Sequence, residues 1–327
     1  MIRTMQVFIF SVFLLAGCMS VKLNFLMDKT DPLGEFVLEG GDSSQKILLL
    51  NIDGIISNSP GFQLVGESPS MVEEVVAQLE KASRDPAVKA VILKIDSPGG
   101  ATTASDLIYH EISMFKERKK VRVIAMMMDV AASGGYMIAL PADKIVAQPT
   151  TVTGSVGVVF IRPKFDGLMG QIGVDVQVSK SGENKDMGSP FRKDSEAEEK
   201  LFAEMVGSLN SHFYKMVAKH RKISNENLEK VKTARVFLAE EAKQIGLIDE
   251  VCYPSDAVAM CRKDSGLSNN AQLVVYRRKN YPNDNIYNRS QIRSGSSVSL
   301  INIGALEGAA SSLKPGFHYL WTMGCGI

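Results

Sequence analysis

Polar and apolar positions along this chain fall into a repeating order. KILLLNIDGII, residues 46–56, is an almost unbroken leucine-rich and β-branched run, the pattern of a strand buried on both faces. After a loop containing Ser59-Pro60-Gly61, MVEEVVAQLEKASRD, residues 71–85, places apolar side chains at helical spacing. It stops at Asp85-Pro86, because the residue before a proline is pushed out of the helical region. VKAVILKI, residues 88–95, is a second buried strand and runs directly into Asp96-Ser97-Pro98-Gly99-Gly100. A helix is expected over residues 105–119, with Ile108, Ile112 and Phe115 on one face. VRVIAMMM, residues 121–128, is a third strand leading into Ser133 and a short apolar helix through Leu140, and KIVAQ, residues 144–148, is a fourth.

Strand, loop and helix in alternation, with nearly continuous apolar strands, predict an α/β fold with a mostly parallel sheet covered on both faces. Functional loops then belong at the carboxyl ends of the strands, where both glycine-containing stretches fall. VGVVF (156–160) and VDVQV (174–178) are expected to extend the sheet, a long charged helix to occupy 195–219, and an αβ-like segment to span 224–251. Past about residue 255 the pattern breaks. LVVYRR (273–278) reads as one strand, Pro282 and RSGSSVS (293–299) as a loop or arm, and GFHYLW (316–321) as an apolar ending outside the main sheet, suited to packing on a neighbouring copy.

At the other end, Arg3 precedes an uncharged apolar run from Met5 to Ala16, the layout of an export signal and too short for a comfortable bilayer span. Leu15-Ala16-Gly17-Cys18 resembles a bacterial lipoprotein processing box, which implies cleavage before Cys18 and lipid on its thiol. The expected organisation is a signal peptide over 1–17, a tether over 18–45, a catalytic domain over 46–254 and a C-terminal extension over 255–327 with a possible intersubunit role. The folded body is expected outside the cytoplasm, anchored at the membrane of a bacterial cell envelope.

Charge narrows the partners. The 37 basic and 36 acidic side chains leave a formal charge of +1, so nucleic acid is not expected as a partner. Cys252, Cys261 and Cys325 have no metal-ligand spacing; a Cys252–Cys261 disulfide and buried free thiols both remain open. No metal and no cofactor is expected.

Ser133, followed at once by Gly134 and Gly135, is either helix-capping chemistry or a nucleophile. A serine nucleophile needs a base. His110, His212, His220 and His318 fall in expected helices or the tail, outside the glycine-rich loops. Lysine serves when withdrawal from water favours its neutral form, and serine–lysine pairs are a known variant of the catalytic triad. Lys94 in an apolar strand, Lys119 and Lys120 in a charge run expected to face solvent, and Lys185 in the turn-rich SKSGENKDMGSPF (179–191) are the candidates. Residue types alone do not choose among them.

The chain also carries five motifs in order: IDSPGG (95–100), AASGGY (131–136), TGSVGV (153–158), SGENKDMGSPFR (181–192) and AEEAKQIGLID (239–249). Over about residues 46–251 the chain resembles the signal peptide peptidase A family of serine endopeptidases, which shares its fold with the Clp protease catalytic subunit and the crotonases. The resemblance implies Ser133 as nucleophile, Lys185 as general base, Ser155 as the residue orienting that lysine, and the amides of Gly100 and Gly134 as oxyanion donors. It implies remnant signal peptides and other membrane-associated peptides as substrates, bound extended, with small or apolar side chains near the scissile bond. Longer relatives carry tandem repeats whereas this chain has one SGG motif and one lysine loop, which implies a homo-oligomer. The chain departs from the family at Ala234 before Arg235, and at Leu238-Ala239, where a Gly-Arg and a Thr-Gly are more usual. A crotonase-like acyl-CoA enzyme and a catalytically silent membrane scaffold are the rival readings.

Overall fold

The computed structural model describes residues 32–59, 61–62, 67–278, 285–286 and 316–322. The expected signal, Cys18 and its lipidation, Cys325 and the 293–299 arm lie outside the described residues. The chain enters through β1 (Gly34–Glu39) and β2 (Asp42–Asp53), followed by a short hairpin of β3 (Gly61–Phe62) and β4 (Glu67–Ser68). Helix α1 (Met71–Arg84) starts with a reciprocal cap: the Glu73 amide donates to Ser70 Oγ at 3.2 Å, and the Ser70 amide to Glu73 Oε2 at 2.7 Å. Its buried stripe, Met71, Val75, Leu79 and Ala82, follows the helical period, and Asp85 turns extended ahead of Pro86.

Next come β5 (Val88–Ser97), β6 (Gly99–Ala101), α2 (Thr102–Lys119), β7 (Arg122–Ala132), α3 (Gly134–Met137), β8 (Lys144–Ala147), β9 (Val152–Gly154) and β10 (Val159–Ile161). The remainder is α4 (Asp166–Ile172), a 3-10 turn at Glu183–Asp186, α5 (Glu196–His220), α6 (Asn225–Lys232), β11 (Val236–Leu238), α7 (Ala239–Gln244), β12 (Glu250–Val251), α8 (Pro254–Asp264), β13 (Ala271–Arg277) and β14 (Gly316–Leu320).

The main sheet runs β1-β13-β2-β5-β7-β8-β12, parallel from β13 to β12 with β1 antiparallel at its edge. Period-2 alternation splits its side chains into two cores. Leu48, Leu50, Val91, Leu93 and Ala125 face one side with Val75, Ile108, Ile112, Phe213 and Val217 from α1, α2 and α5. Ile47, Leu49, Ile92, Ile124 and Met126 face the other, with Val258 and Cys261 of α8. Both faces are covered, which is why the strands read as continuous apolar runs.

Several expectations change. The body begins at Gly34, inside the expected tether, because the alternating GEFVLE pairs with β13. It also continues past residue 254: LVVYRR enters the sheet as its second strand, between β1 and β2. VDVQV does not form a strand; Val174, Val176 and Val178 alternate at strand period, yet every residue from 170 to 185 is exposed and no described strand pairs with them. GFHYLW stays outside the main sheet, but β14 packs within its own chain, as the middle strand of a second sheet ordered β10-β14-β6. Cys252 and Cys261 are both free thiols.

Candidate active site

Two strand ends build the site. At the end of β5, Ser97 Oγ donates to the Gly54 carbonyl at 2.6 Å and accepts from the Gly99 amide at 3.1 Å, which turns the chain into the glycine strand β6. The Ile56 amide then donates to the Gly99 carbonyl at 2.8 Å and the Ala101 amide to the Ile56 carbonyl at 2.9 Å. Gly99 has φ +100°, and a Cβ there would lie 2.0 Å from the Tyr319 carbonyl oxygen and 2.7 Å from the Gly134 nitrogen. Only glycine fits.

The last residues of β7 leave β8 and pair instead with β9, Val130 to Ala132 against Val152 to Gly154. Thr153 Oγ1 locks this by donating to the Ala131 carbonyl at 2.6 Å. Ser133 follows with φ 53° and ψ −115°, a conformation that costs a non-glycine residue about 1–3 kcal/mol and marks functional sites. Its amide donates to the Gly154 carbonyl at 2.8 Å, and its hydroxyl donates to the Gly157 carbonyl at a long 3.4 Å. Ser133 precedes α3 but its side chain caps no helical amide, so the capping reading of this serine fails. At Gly134 a Cβ would lie 2.4 Å from Ser105 Oγ, so the residue after Ser133 has no room for a side chain.

β14 lies across the mouth of this arrangement. His318, Tyr319 and Leu320 pair antiparallel with Ala101, Gly100 and Gly99, while Val159, Phe160 and Ile161 flank the strand on its other side. Since Gly99 and Ala101 direct their ladder groups at Ile56, alternation turns the N–H and C=O of Gly100 toward Tyr319. The Tyr319 carbonyl and the Gly134 amide nitrogen share one side of Gly99. A peptide carbonyl therefore stands beside both expected oxyanion donors. The Tyr319 ring is buried against Phe213 at 4.9 Å between centroids, with its hydroxyl donating to the Leu209 carbonyl at 3.0 Å, and Phe317 stacks on Phe160 at 4.2 Å.

The lysines separate clearly. Lys94 is buried and donates to the Ile286 carbonyl at 2.6 Å. Lys119, expected at solvent, is half-buried and donates to the Ser83 and Asp85 carbonyls; its pKa is lowered, chiefly by burial. Lys185 lies in the 3-10 turn, exposed, and among the described residues its ammonium has no hydrogen-bond or ion-pair partner. It does not contact Ser133 within the chain. Ser155 is buried with φ 49°, its amide donating to the Arg235 carbonyl at 2.9 Å and its hydroxyl unpartnered among the described residues. His220 bonds Tyr109 at 2.7 Å and His212 bonds Asp106 at 3.1 Å, neither in contact with Ser133.

Sequence reading missed the Gly157 carbonyl facing Ser133 and the placement of the tail. TGSVGV contained the first as the continuation past Ser155; the second has no local signal, because β14 is more than 200 residues from β6 in the chain.

Comparison with known proteins places these features in a family context. The profile of peptidase family S49 matches residues 115–268, and that of Clp protease residues 62–152. The chain is similar to a putative signal peptide peptidase SppA of Enterococcus faecium, 30% identical over 303 residues that cover 91% of this chain and 88% of that protein. It is 32% identical over 239 residues to a putative protease of Methanocaldococcus jannaschii, covering 73% and 76%. It is 33% identical over 239 residues to the chloroplastic serine protease SPPA of Arabidopsis thaliana, covering 73% of this chain and 35% of that longer protein.

Proposed function

The chain belongs to peptidase family S49 and is a serine endopeptidase of the α/β, Clp-like fold; on that premise we propose that Ser133 is its nucleophile, Lys185 its general base, and that the pair closes between two copies of the chain. The observation that carries the first assignment is Ser133 itself, strained at the end of β7 and followed at once by Gly134, whose amide nitrogen packs against Gly99. Lys185 is assigned by its motif. Its exposure, together with the exposed Phe165, Leu168, Ile172, Val174, Val176 and Val178 on the segment leading to it, supports a second copy as the surface that covers it.

In this reading Ser133 Oγ attacks a peptide carbonyl while the neutral Lys185 amine takes the hydroxyl proton. Withdrawal from water beneath the second copy favours that neutral form. Charge developing on the carbonyl oxygen meets the amides of Gly100 and Gly134; losing one such donor in a comparable hydrolase costs roughly 3–4 kcal/mol of transition-state stabilisation. Lys185 then returns the proton to the departing amine, and water, deprotonated by the same lysine, releases the acyl group from Ser133. Ser155, with its free hydroxyl, orients the lysine.

Substrate binds as an added strand. The lane between β6 and β10 that Gly316–Leu320 fills supports this, since it supplies ladder partners on both sides and an apolar seat against Phe213 and Phe160. The substrate class is apolar peptide left at the membrane after export, signal peptides among them, a reading supported by the name of the Enterococcus relative and by the apolar run ahead of Cys18. The same run and Cys18 support a lipid anchor in the cell envelope; among the described residues no helix is long and apolar enough to cross a membrane. Hydrolysis of an apolar signal peptide by wild type, S133A and K185A tests the dyad: both variants are expected to be inactive, and equal activity in all three overturns it.

A further inference from the structure

We propose that Arg192 is the positioning residue for the base, holding the Lys185 turn through Asp186; this rests on Lys185 being the base. The turn that carries Lys185 has no core of its own. Residues 170–185 are exposed throughout, and the 3-10 turn has no buried member. Its geometry must therefore come from polar contacts, and these converge on the neighbour of the lysine. Arg192 Nε and one terminal nitrogen form a fork on Asp186, at 2.9 Å to each carboxylate oxygen, and that terminal nitrogen also reaches the Asp186 carbonyl at 3.1 Å. The other terminal nitrogen donates to Glu198 Oε2 at 2.9 Å and to the Lys193 carbonyl at 3.0 Å. Lys180 closes the far side, donating to Asp186 at 2.8 Å and to the Glu183 carbonyl at 2.9 Å.

Glu198 is the fixed end. It is buried, and it also accepts the Ser195 amide at 2.7 Å as half of the cap that starts α5. Helix α5 in turn carries Phe213, Met216 and Val217 into the core and packs against α3, the helix that begins after Ser133. The guanidinium thus joins the base turn to the same helix that backs the nucleophile. A lysine at 192 has no planar fork and cannot hold both carboxylates in this way.

The test measures kcat and KM for an apolar peptide, with melting temperature, in wild type, R192A, R192K, D186N, the R192A/D186N double variant and K185A. Misplacing a reacting group by about an ångström costs up to ~100-fold in rate, so R192A, R192K and D186N are each expected to lose roughly 10- to 100-fold in kcat with KM nearly unchanged. The double variant is expected to be no slower than either single, because both break one link. Wild-type kcat in R192K and D186N, with K185A inactive, overturns the clamp and leaves the dyad standing. Wild-type activity in K185A removes the base itself, and the clamp with it. Should R192A fail to fold, R192K and D186N decide.

Discussion

The amide of Ser133 donates to the carbonyl of Gly154 at 2.8 Å, tying the turn that follows β7 to the strand that leads into Ser155. Two residues with positive φ are thereby fixed against each other, Ser133 at 53° and Ser155 at 49°. The strain is held by backbone bonds, so the side chain of Ser133 is left almost free of structural duty.

Replacing Ser133 by alanine is accordingly expected to abolish peptide hydrolysis while changing stability by less than about 1 kcal/mol, since the hydroxyl makes a single long bond at 3.4 Å. Denaturant unfolding of the purified variant checks the second half. A large loss of stability would show that the hydroxyl is structural.

Ala234 occupies the left-handed region at φ 57°, beside Gly157, where an added Cβ would lie 2.6 Å from that of Ala234. An L-residue there costs roughly 1–2 kcal/mol that glycine avoids. A234G is therefore expected to stabilise the fold by about 0.5–1 kcal/mol after the extra entropy of the unfolded glycine is subtracted. Chemical denaturation measures it, and a destabilised variant would contradict the strain argument.

The Arg192 guanidinium holds the Glu198 carboxyl at about 2, below its ordinary 4.5, and depresses Asp186 as well. A depressed folded pKa gives stability that is complete above the unfolded value and lost as pH falls through the folded one. Residues 179–194 are therefore expected to keep their amide protection at pH 6 and to lose it first as the pH drops from about 4 toward 2. Hydrogen exchange across that range reads this directly; equal protection at both ends contradicts it.

If substrate takes the lane between β6 and β10, as proposed, the tail strand Gly316–Leu320 must leave it. A chain ending at residue 313 is expected to bind apolar peptides with a several-fold lower KM, and those peptides to raise its melting temperature more than that of the full chain. Identical KM values in the two forms would place the substrate elsewhere.

Much of this was legible in residue order. KILLLNIDGII, VKAVILKI, VRVIAMMM and KIVAQ appear as β2, β5, β7 and β8, and the charged run at 195–219 as α5, because local period and burial on both faces agree there. Strand order was not legible: β13 enters between β1 and β2 after more than 200 residues, and no local pattern encodes such a partner. Val174, Val176 and Val178 carry a strand's alternation without a strand, since a ladder needs a neighbour and none of the described strands pairs with them. At the site the glycines betrayed close approaches, as Gly99 and Gly134 show, whereas the positive φ of Ser133 arises from the turn between β7 and α3 and leaves no trace in residue type.

Co-expression of S133A and K185A chains, each with its own tag, and purification of assemblies that contain both, tests the central claim most directly. With nucleophile and base supplied by different copies, the mixed assembly is expected to cleave an apolar signal peptide although each variant alone is inactive. A mixed assembly as inactive as its parents would contradict a dyad closed between copies.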